Sequence, residues 1–303
     1  MKLRNKYTWL SVVFFASIAG SVGACSSSDN NGNPGDKDGG PGQDGGGTND
    51  GGGGEETPNG KTGSVSVINS SFQGTPFYSV SAGFTDASAL ISGESGKCET
   101  STEGACTVIK CPTPVVSDAG TPKQVSAGTI EISGADISPA FKLEADSDNK
   151  YEGENGSKSL WKGGEDITIK ASGDASGVGS FEKTLKAAPP ITVSGASQTI
   201  DRTKPLELTW TFAGSAAGDI AVALTTTGNA GSVSVSCAAP IADKKITVPA
   251  AALGQLPKGA GFFATAAGSL NTIKVSDYTV RLTTVSSATG KNGQPLPSQV
   301  TYE

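Results

Sequence analysis

From residue 63 onward, apolar residues recur at every second position and not with the 3.6-residue period of a helix. In PLELTWTF, Leu206, Leu208, Trp210 and Phe212 share one face of an extended strand. The same alternation occurs at Ile130 and Ile132, at Ile167 and Ile169, at Ile220, Val222 and Leu224, at Val233, Val235 and Cys237, and at Tyr278, Val280 and Leu282. Turns containing Gly, Asn or Pro separate these short runs, so the pattern predicts an all-β fold of sandwich type. The one helix candidate is PAAALGQLP, residues 249–257.

The first 24 residues have a different pattern. Lys2, Arg4 and Lys6 precede YTWLSVVFFASIAGSVGA, an uncharged apolar segment that ends in small residues. This order of a basic region, an apolar region and small residues is typical of an export signal. Its length lies at the short end for a membrane span.

The residues that follow the apolar segment, Val22-Gly23-Ala24-Cys25, resemble the lipobox of bacterial lipoproteins. The resemblance implies that Cys25 carries a thioether-linked diacylglycerol and becomes the new N-terminus after cleavage. Ser26, where an Asp would signal retention, implies sorting to the outer membrane. The alternative is an ordinary secretory signal, in which Cys25 is a plain thiol.

Residues 25–62 form the next segment, the cysteine and a linker rich in Gly, Asp and Asn. The linker contains thirteen glycines and no aromatic or large aliphatic residue. Such a chain cannot offset the entropy lost on ordering, so we expect a disordered coil. Its root-mean-square reach is about 30–37 Å by Gly-rich scaling. Its acidic charge would repel an anionic lipid surface, and we therefore interpret it as a tether.

Pro189-Pro190 is the best internal boundary, because proline cannot donate a ladder hydrogen bond. We therefore expect two β-sandwich-like domains after the signal peptide and the disordered linker. Residues 63–188 would form a β-rich domain with a cysteine cluster, and residues 189–303 a second sandwich. A single merged sandwich is the alternative.

Two resemblances accompany this division. The residues after Pro190 offer about seven strand candidates with a Trp in an early strand, and they resemble an immunoglobulin-like or fibronectin-like sandwich. The intersheet cysteine pair of antibody domains is absent, since Cys237 is the only cysteine there. The segments AGTIEISG, WKGGEDITIKASGD and DYTVRL resemble those of uncharacterised tethered β-rich lipoproteins of bacteria. That resemblance implies no activity and no site residues.

Charge and composition exclude several classes of function. Cleavage before Cys25 removes three of the 23 Lys and Arg residues, which leaves 20 against 29 acids and a net charge of −9. No basic stripe with interleaved aromatics is present, so nucleic acid is not an expected partner. The chain contains no histidine, which excludes Ser-His-Asp and Cys-His catalysis and any His-containing zinc site.

Four cysteines remain after Cys25, and an exported chain retains disulfides. Cys98, Cys106 and Cys111 lie close together with spacings that do not match zinc ribbons, whereas Cys237 is distant. Three connectivities are possible. We expect one bond within the cluster, because hairpin neighbours come within bonding distance. We expect Cys237 to be buried and unpaired, because it shares an apolar face with Val233 and Val235 and its own domain holds no other cysteine. The alternative is that Cys237 pairs with the cysteine of the cluster that is left over.

The loop EADSDNKYEGENG is the only acidic cluster with candidate chemistry in the folding part of the chain. Its carboxylates are those of Asp146, Asp148, Glu152 and Glu154. Alternate oxygen ligands suit calcium, but the spacing departs from that of an EF-hand, and a solvated turn is the favoured interpretation. Tyr151 and Trp161 are the candidates for stacking on a sugar, although packing is the favoured role for Trp161.

These patterns favour a lipid-anchored cell-envelope protein of the outer membrane with a non-catalytic role in binding, adhesion or structural support. Its expected partners are the membrane, through the N-terminal lipid, and an envelope protein or glycan. No cofactor other than calcium is suggested. The alternative is a carboxylate-dependent hydrolase or an accessory protein of polysaccharide processing.

Overall fold

The computed structural model describes residues 60–72, 74–88, 98–112, 121–228 and 231–303. The regular secondary structure of these residues is almost entirely β-strand, with one short α-helix, which confirms the all-β prediction. The strands before Pro189 are β1 Lys61–Phe72, β2 Thr75–Asp86, β3 Glu99–Glu103, β4 Cys106–Cys111, β5 Lys123–Gln124, β6 Ile130–Gly134, β7 Ile137–Leu143, β8 Glu154–Gly156, β9 Asp166–Ala171 and β10 Phe181–Lys186.

The strands after Pro190 alternate with short turns. They are β11 Ile191–Ser194, β12 Thr199–Ile200, β13 Leu206–Phe212, β14 Asp219–Gly228, β15 Gly231–Pro240, β16 Lys245–Val248, β17 Gly259–Val275, β18 Tyr278–Thr289 and β19 Gln299–Tyr302. The predicted helix is present as one turn, α1 Ala250–Leu253, which begins after Pro249. Proline suits this N-cap position because the backbone there is extended, with φ −67° and ψ 148°, and because its missing N–H would have no partner within the helix.

A long antiparallel hairpin, β17 with β18, forms the axis of the molecule. β17 has 17 residues and β18 has 12. At about 3.3 Å per residue, β17 alone spans roughly 56 Å. Strand pairing continues from this hairpin in the order β16-β13-β11-β18-β17-β14-β15-β4-β3, and β1 and β2 join at β18. Among the described residues a second, four-stranded sheet has the order β10-β9-β6-β7.

The first core lies between the four-stranded sheet and the inner face of β1, β2 and the beginning of β18. Period-two alternation points the apolar residues of both sheets into this layer. Its members from the large sheet include Val65, Val67, Val80, Phe84, Val280 and Leu282, and those from the four-stranded sheet include Ile130, Ile132, Phe141, Ile167, Ile169 and Leu185.

The second core lies at the other end of the β17–β18 hairpin. Here β11, β13 and β16 pack against β14, β15 and β4. Its members include Ile191, Val193, Leu208, Trp210, Ile246, Ile220, Val222, Leu224, Val235 and Phe263. The predicted strand phases are therefore confirmed, with Leu206 and Phe212 only partly buried at the two ends of β13.

Each core contains residues from both sides of the proposed boundary at Pro189-Pro190. β1 pairs in parallel with β18, and β4 pairs with β15. Val280 and Leu282 thus pack in the first core, while Cys106 and Val108 pack in the second. The two cores share strands of one continuous sheet.

Trp210 provides a test of the second core. Its side chain is 2% exposed, and its Nε1 donates a hydrogen bond to the carbonyl oxygen of Ile241 at 2.8 Å. We expect Trp210→Ala to lower the free energy of unfolding by about 3–5 kcal/mol, because it removes a large buried aromatic ring. Urea unfolding measures this change. The control is Thr184→Ala on the exposed face of β10, for which we expect a change within about 0.5 kcal/mol. A Trp210→Ala effect below about 1 kcal/mol would contradict the assigned burial.

Candidate functional site

The described chain begins at one end of the β17–β18 hairpin. Cys25 and the linker up to residue 59 lie outside the described residues. Lys61, the first residue of β1, places its Nζ 3.3 Å from Oδ2 of Asp277, in the turn that joins β17 to β18. The same Nζ lies 5.6 Å from the centre of the Tyr278 ring. The hydrogen bond to Asp277 raises the pKa of Lys61. Any tether therefore meets the fold at this turn.

The acidic loop is a tight turn in which the carboxylates contact neighbouring groups. Oδ1 of Asp146 accepts hydrogen bonds from the backbone amides of Asp148 and Lys150, each at 2.8 Å. Asp148 forms an ion pair of 3.4 Å with Lys150. Glu154 lies in β8, where it accepts a hydrogen bond from the Tyr78 hydroxyl at 3.5 Å. Within the described ranges, no group of three or more His, Cys, Asp or Glu residues is placed to hold a metal ion, and the four calcium candidates do not converge.

The two candidates for sugar stacking both have structural partners. The Tyr151 hydroxyl donates to the carbonyl oxygen of Gly128 at 2.7 Å and accepts from the amide of Ala127 at 2.8 Å. Trp161 is 1% exposed and belongs to the first core. The packing interpretation of Trp161 is thus confirmed, and its ring offers no face to a ligand.

Trp161 is the centre of a buried polar junction where β1, β18 and the chain before Pro189 meet. Its Nε1 lies 2.7 Å from Oγ of Ser286 and 3.0 Å from the carbonyl oxygen of Ala188. Asn69 of β1 donates from Nδ2 to the Trp161 carbonyl at 2.9 Å, and its Oδ1 accepts from the amide of Leu160 at 3.0 Å. The buried hydroxyl of Ser286 also donates to the Ala188 carbonyl.

The segment that presents Trp161 is a Gly-Gly turn held by Glu165. The Glu165 carboxylate accepts hydrogen bonds from the backbone amides of Lys162 at 2.9 Å and Gly163 at 2.6 Å. Burial raises the pKa of this carboxyl, but the backbone hydrogen bonds outweigh burial and hold it below its usual value. Gly163 has a φ of 133°, and a Cβ there would collide with Pro189.

Sequence reasoning missed Asn69 and Ser286, although a signal was present. In β1 the inward positions are Val65, Val67 and then Asn69, so a polar residue stands where the alternation calls for an apolar one. A polar residue at a core position needs a hydrogen-bonding partner. The partner, the turn around Trp161, lies far away in sequence.

The cysteines form two disulfides, Cys98–Cys111 and Cys106–Cys237. The predicted bond within the cluster is confirmed. The prediction that Cys237 is unpaired was wrong, although its burial was correct. β4 lies beside β15 with Cys106 directly opposite Cys237, so a distant residue becomes a neighbour on the next strand. The alternation of apolar and polar residues within one strand does not indicate which strand lies beside it, so it could not predict this pairing.

The outer face of the large sheet carries mainly small hydroxyl side chains. They alternate with the core residues of the same strands, and cross-strand neighbours such as Thr62 and Thr85 lie within 3.1 Å. The hydroxyl residues of the face include Ser64, Ser66 and Ser70 of β1, Ser79 and Ser81 of β2, Thr283 and Ser287 of β18, Thr225 and Thr227 of β14, Ser232, Ser234 and Ser236 of β15, Thr107 of β4, and Thr100 and Thr102 of β3. Ile68, Arg281, Val285 and Ile109 lie at outward positions among them. We call this the hydroxyl face.

The one large hydrophobic side chain that is well exposed among the described residues is Leu270, at 60%. It lies on the hydroxyl face in a row with Thr283, Ser66 and Ser81. In the described part of the chain, no helix has the length and hydropathy needed to cross a membrane. No protein-family model matches the chain, and no curated protein matches it in sequence.

The two disulfides differ in the loops that they close, and this difference is testable. Cys98 and Cys111 are 13 positions apart, whereas Cys106 and Cys237 are 131 positions apart. In the chain-entropy picture the first contributes about 3 kcal/mol and the second about 5 kcal/mol. We expect the double variant Cys106→Ala with Cys237→Ala to be destabilised more than Cys98→Ala with Cys111→Ala in urea unfolding. Peptide mapping without reductant must recover both linked pairs from the wild type. The reverse order of stabilities would contradict the assignment of the long closure.

Proposed function

We propose that this chain is a lipid-anchored protein of the bacterial cell envelope, with a non-catalytic role in binding, adhesion or structural support. Among the structural observations, the two disulfides are the main support for this proposal, because such bonds persist in oxidising compartments outside the cytosol. They agree with the export signal and with acylation of Cys25 at the lipobox-like sequence. Sorting to the outer membrane, and the immunoglobulin-like character of the C-terminal half, stay predictions.

The position of Lys61 supports the role of the linker. The folded part begins at one end of its long axis, at the β17–β18 turn, and the second core lies at the opposite end. A tether attached at Lys61 would therefore hold the second core away from the membrane. The distance added by the linker is about 30–37 Å.

The hydroxyl face supports a role in binding an uncharged, hydrogen-bonding partner such as an envelope glycan. Its Ser and Thr side chains each offer a donor and acceptors, and they are spread over a wide sheet. The alternative hydrolase needs two acids that face each other across a cleft. In the acidic loop, the Asp146 carboxylate instead accepts a hydrogen bond from the backbone amide of Asp148, and the Asp148 carboxylate forms an ion pair with Lys150.

The anchor is tested by Cys25→Ser. Without the thiol no thioether to lipid can form, so we expect the variant to leave the membrane fraction or to accumulate as the uncut precursor. Cell fractionation and detergent-phase partitioning measure this. Ser26→Ala is the matched control and is expected to remain acylated. Identical detergent partitioning of the wild type and Cys25→Ser would contradict the lipoprotein assignment.

Glycan binding is tested by Ser66→Arg, which places a long charged side chain in the middle of the hydroxyl face between Ser81 and Thr283. We expect co-sedimentation with purified cell-wall sacculi to be lost while thermal unfolding is nearly unchanged. Thr184→Arg, on the exposed face of the four-stranded sheet, is the control and should bind as the wild type does. Retention of Ser66→Arg, or no sedimentation of the wild type, would contradict this role for the face.

A further inference from the structure

A force applied through the N-terminal linker would act first on β1, the strand that follows the linker. Residues 62–69 of β1 pair in parallel with residues 279–286 of β18 through eight consecutive register positions. β1 also pairs with β2, but within the described ranges the other strand pairs of β2 are limited to two positions of β5 and three of β8. The β1–β18 pairing is therefore the main backbone connection between the first hairpin and the body.

The direction of β1 determines how this connection would be loaded. A pull at Lys61 draws β1 along its own axis, out of the end where β18 begins. If the opposite force acts at the far end of β17, all eight β1–β18 positions resist sliding together. If the opposite force acts at the β17–β18 turn, beside Lys61, the strands separate one position at a time. Simultaneous loading of many hydrogen bonds requires a higher force than sequential loading of the same bonds.

Asn69 opposes sliding at the inner end of β1. A slip of one residue would turn its buried side chain to the other face of the sheet. A slip of two residues would move it into the apolar position of Val67, away from Trp161 and Leu160. Either movement leaves buried polar groups without partners, which is costly.

We propose that the parallel β1–β18 pairing, locked by Asn69, is a mechanical clamp that transmits force from the anchor to the far end of the β17–β18 hairpin. The proposal rests on the proposed function for the point at which force is applied. The register and the Asn69 hydrogen bonds stand independently of acylation.

The Cys106–Cys237 disulfide limits how far the chain extends once the clamp yields. It connects two positions 131 residues apart. When the unfolded chain is stretched, the disulfide carries the tension from Cys106 to Cys237. The residues between Cys111 and Cys237 therefore bear no tension and add nothing to the extension. With the Cys98–Cys111 bond in place, the taut path runs five positions from Cys111 back to Cys106, against 126 positions from Cys111 to Cys237. The Cys106–Cys237 bond therefore withholds 126 − 5 = 121 positions, roughly 400–440 Å at 3.3–3.6 Å per residue.

Single-molecule force spectroscopy on the mature chain with Cys25→Ser tests the clamp in two pulling geometries. One handle is at the N-terminus in both. The second is at Lys258, which is exposed beside the far end of β17, or at Ser276 in the β17–β18 turn. We expect the unfolding force to be severalfold higher with the handle at Lys258. Equal forces in the two geometries would overturn the proposal.

Asn69→Val tests the lock, and Leu208→Ala in the second core is the control of comparable destabilisation. We expect Asn69→Val to lower the force in the Lys258 geometry and leave the Ser276 geometry nearly unchanged. Leu208→Ala should lower the urea midpoint without lowering the clamp force. An unchanged clamp force in Asn69→Val would overturn the lock, and the wild-type comparison tests the clamp even if this variant fails to fold.

The length of chain released in the Lys258 geometry tests the disulfide stop. The variant Cys106→Ala with Cys237→Ala, which keeps the Cys98–Cys111 bond, should extend further than the wild type by roughly 400–440 Å. Equal extension would overturn the stop. Failure of the anchor would be seen in fractionation of Cys25→Ser and would leave all of these force measurements unaffected.

Discussion

Residues 62–69 lie beside residues 279–286, so the first described strand pairs with one of the last. This parallel contact closes nearly the whole folded chain into a loop, and its entropic cost grows only slowly with the length of that loop. β18 also pairs with β17 and β11. Through β18, the N-terminal hairpin becomes part of the sheet that also surrounds the second core. The first core depends on that contact, because it contains both Val65 and Val67 of β1 and Val280 and Leu282 of β18.

The polar junction at Trp161 lies where this pairing passes from one core to the other. Hydrogen bonds to Asn69, Ser286 and the Ala188 carbonyl satisfy groups that are buried from water. Their net contribution to stability is modest, but leaving one partner unpaired in this environment is expensive. Polar groups with few acceptable arrangements define the register of β1 more strictly than Val65 and Val67 could alone. The junction therefore gives the shared sheet one alignment.

Local features of this fold follow from the sequence, whereas its long-range pairings do not. The phase of Leu208 and Trp210, the inward Ile pairs of β6 and β9, and the short helix after Pro249 all depend on alternation or on proline geometry. The neighbours of β1 and β4 depend on tertiary packing, which an alternating pattern leaves undetermined. For the same reason the Cys98–Cys111 bond could be predicted from proximity in the chain, but Cys106–Cys237 could not.

The hydroxyl face shows why a candidate surface is harder to predict than a core. Ser66, Thr283 and Ser81 occupy outward positions of three strands, and in each strand alone they are ordinary solvent-facing residues. They become one surface only because β1 is inserted between β2 and β18. The strand that joins the two ends of the chain therefore also assembles the centre of this face. A register shift of β1 by one residue would bring Val65 and Val67 to the surface and bury Ser66, so core, junction and face depend on the same alignment.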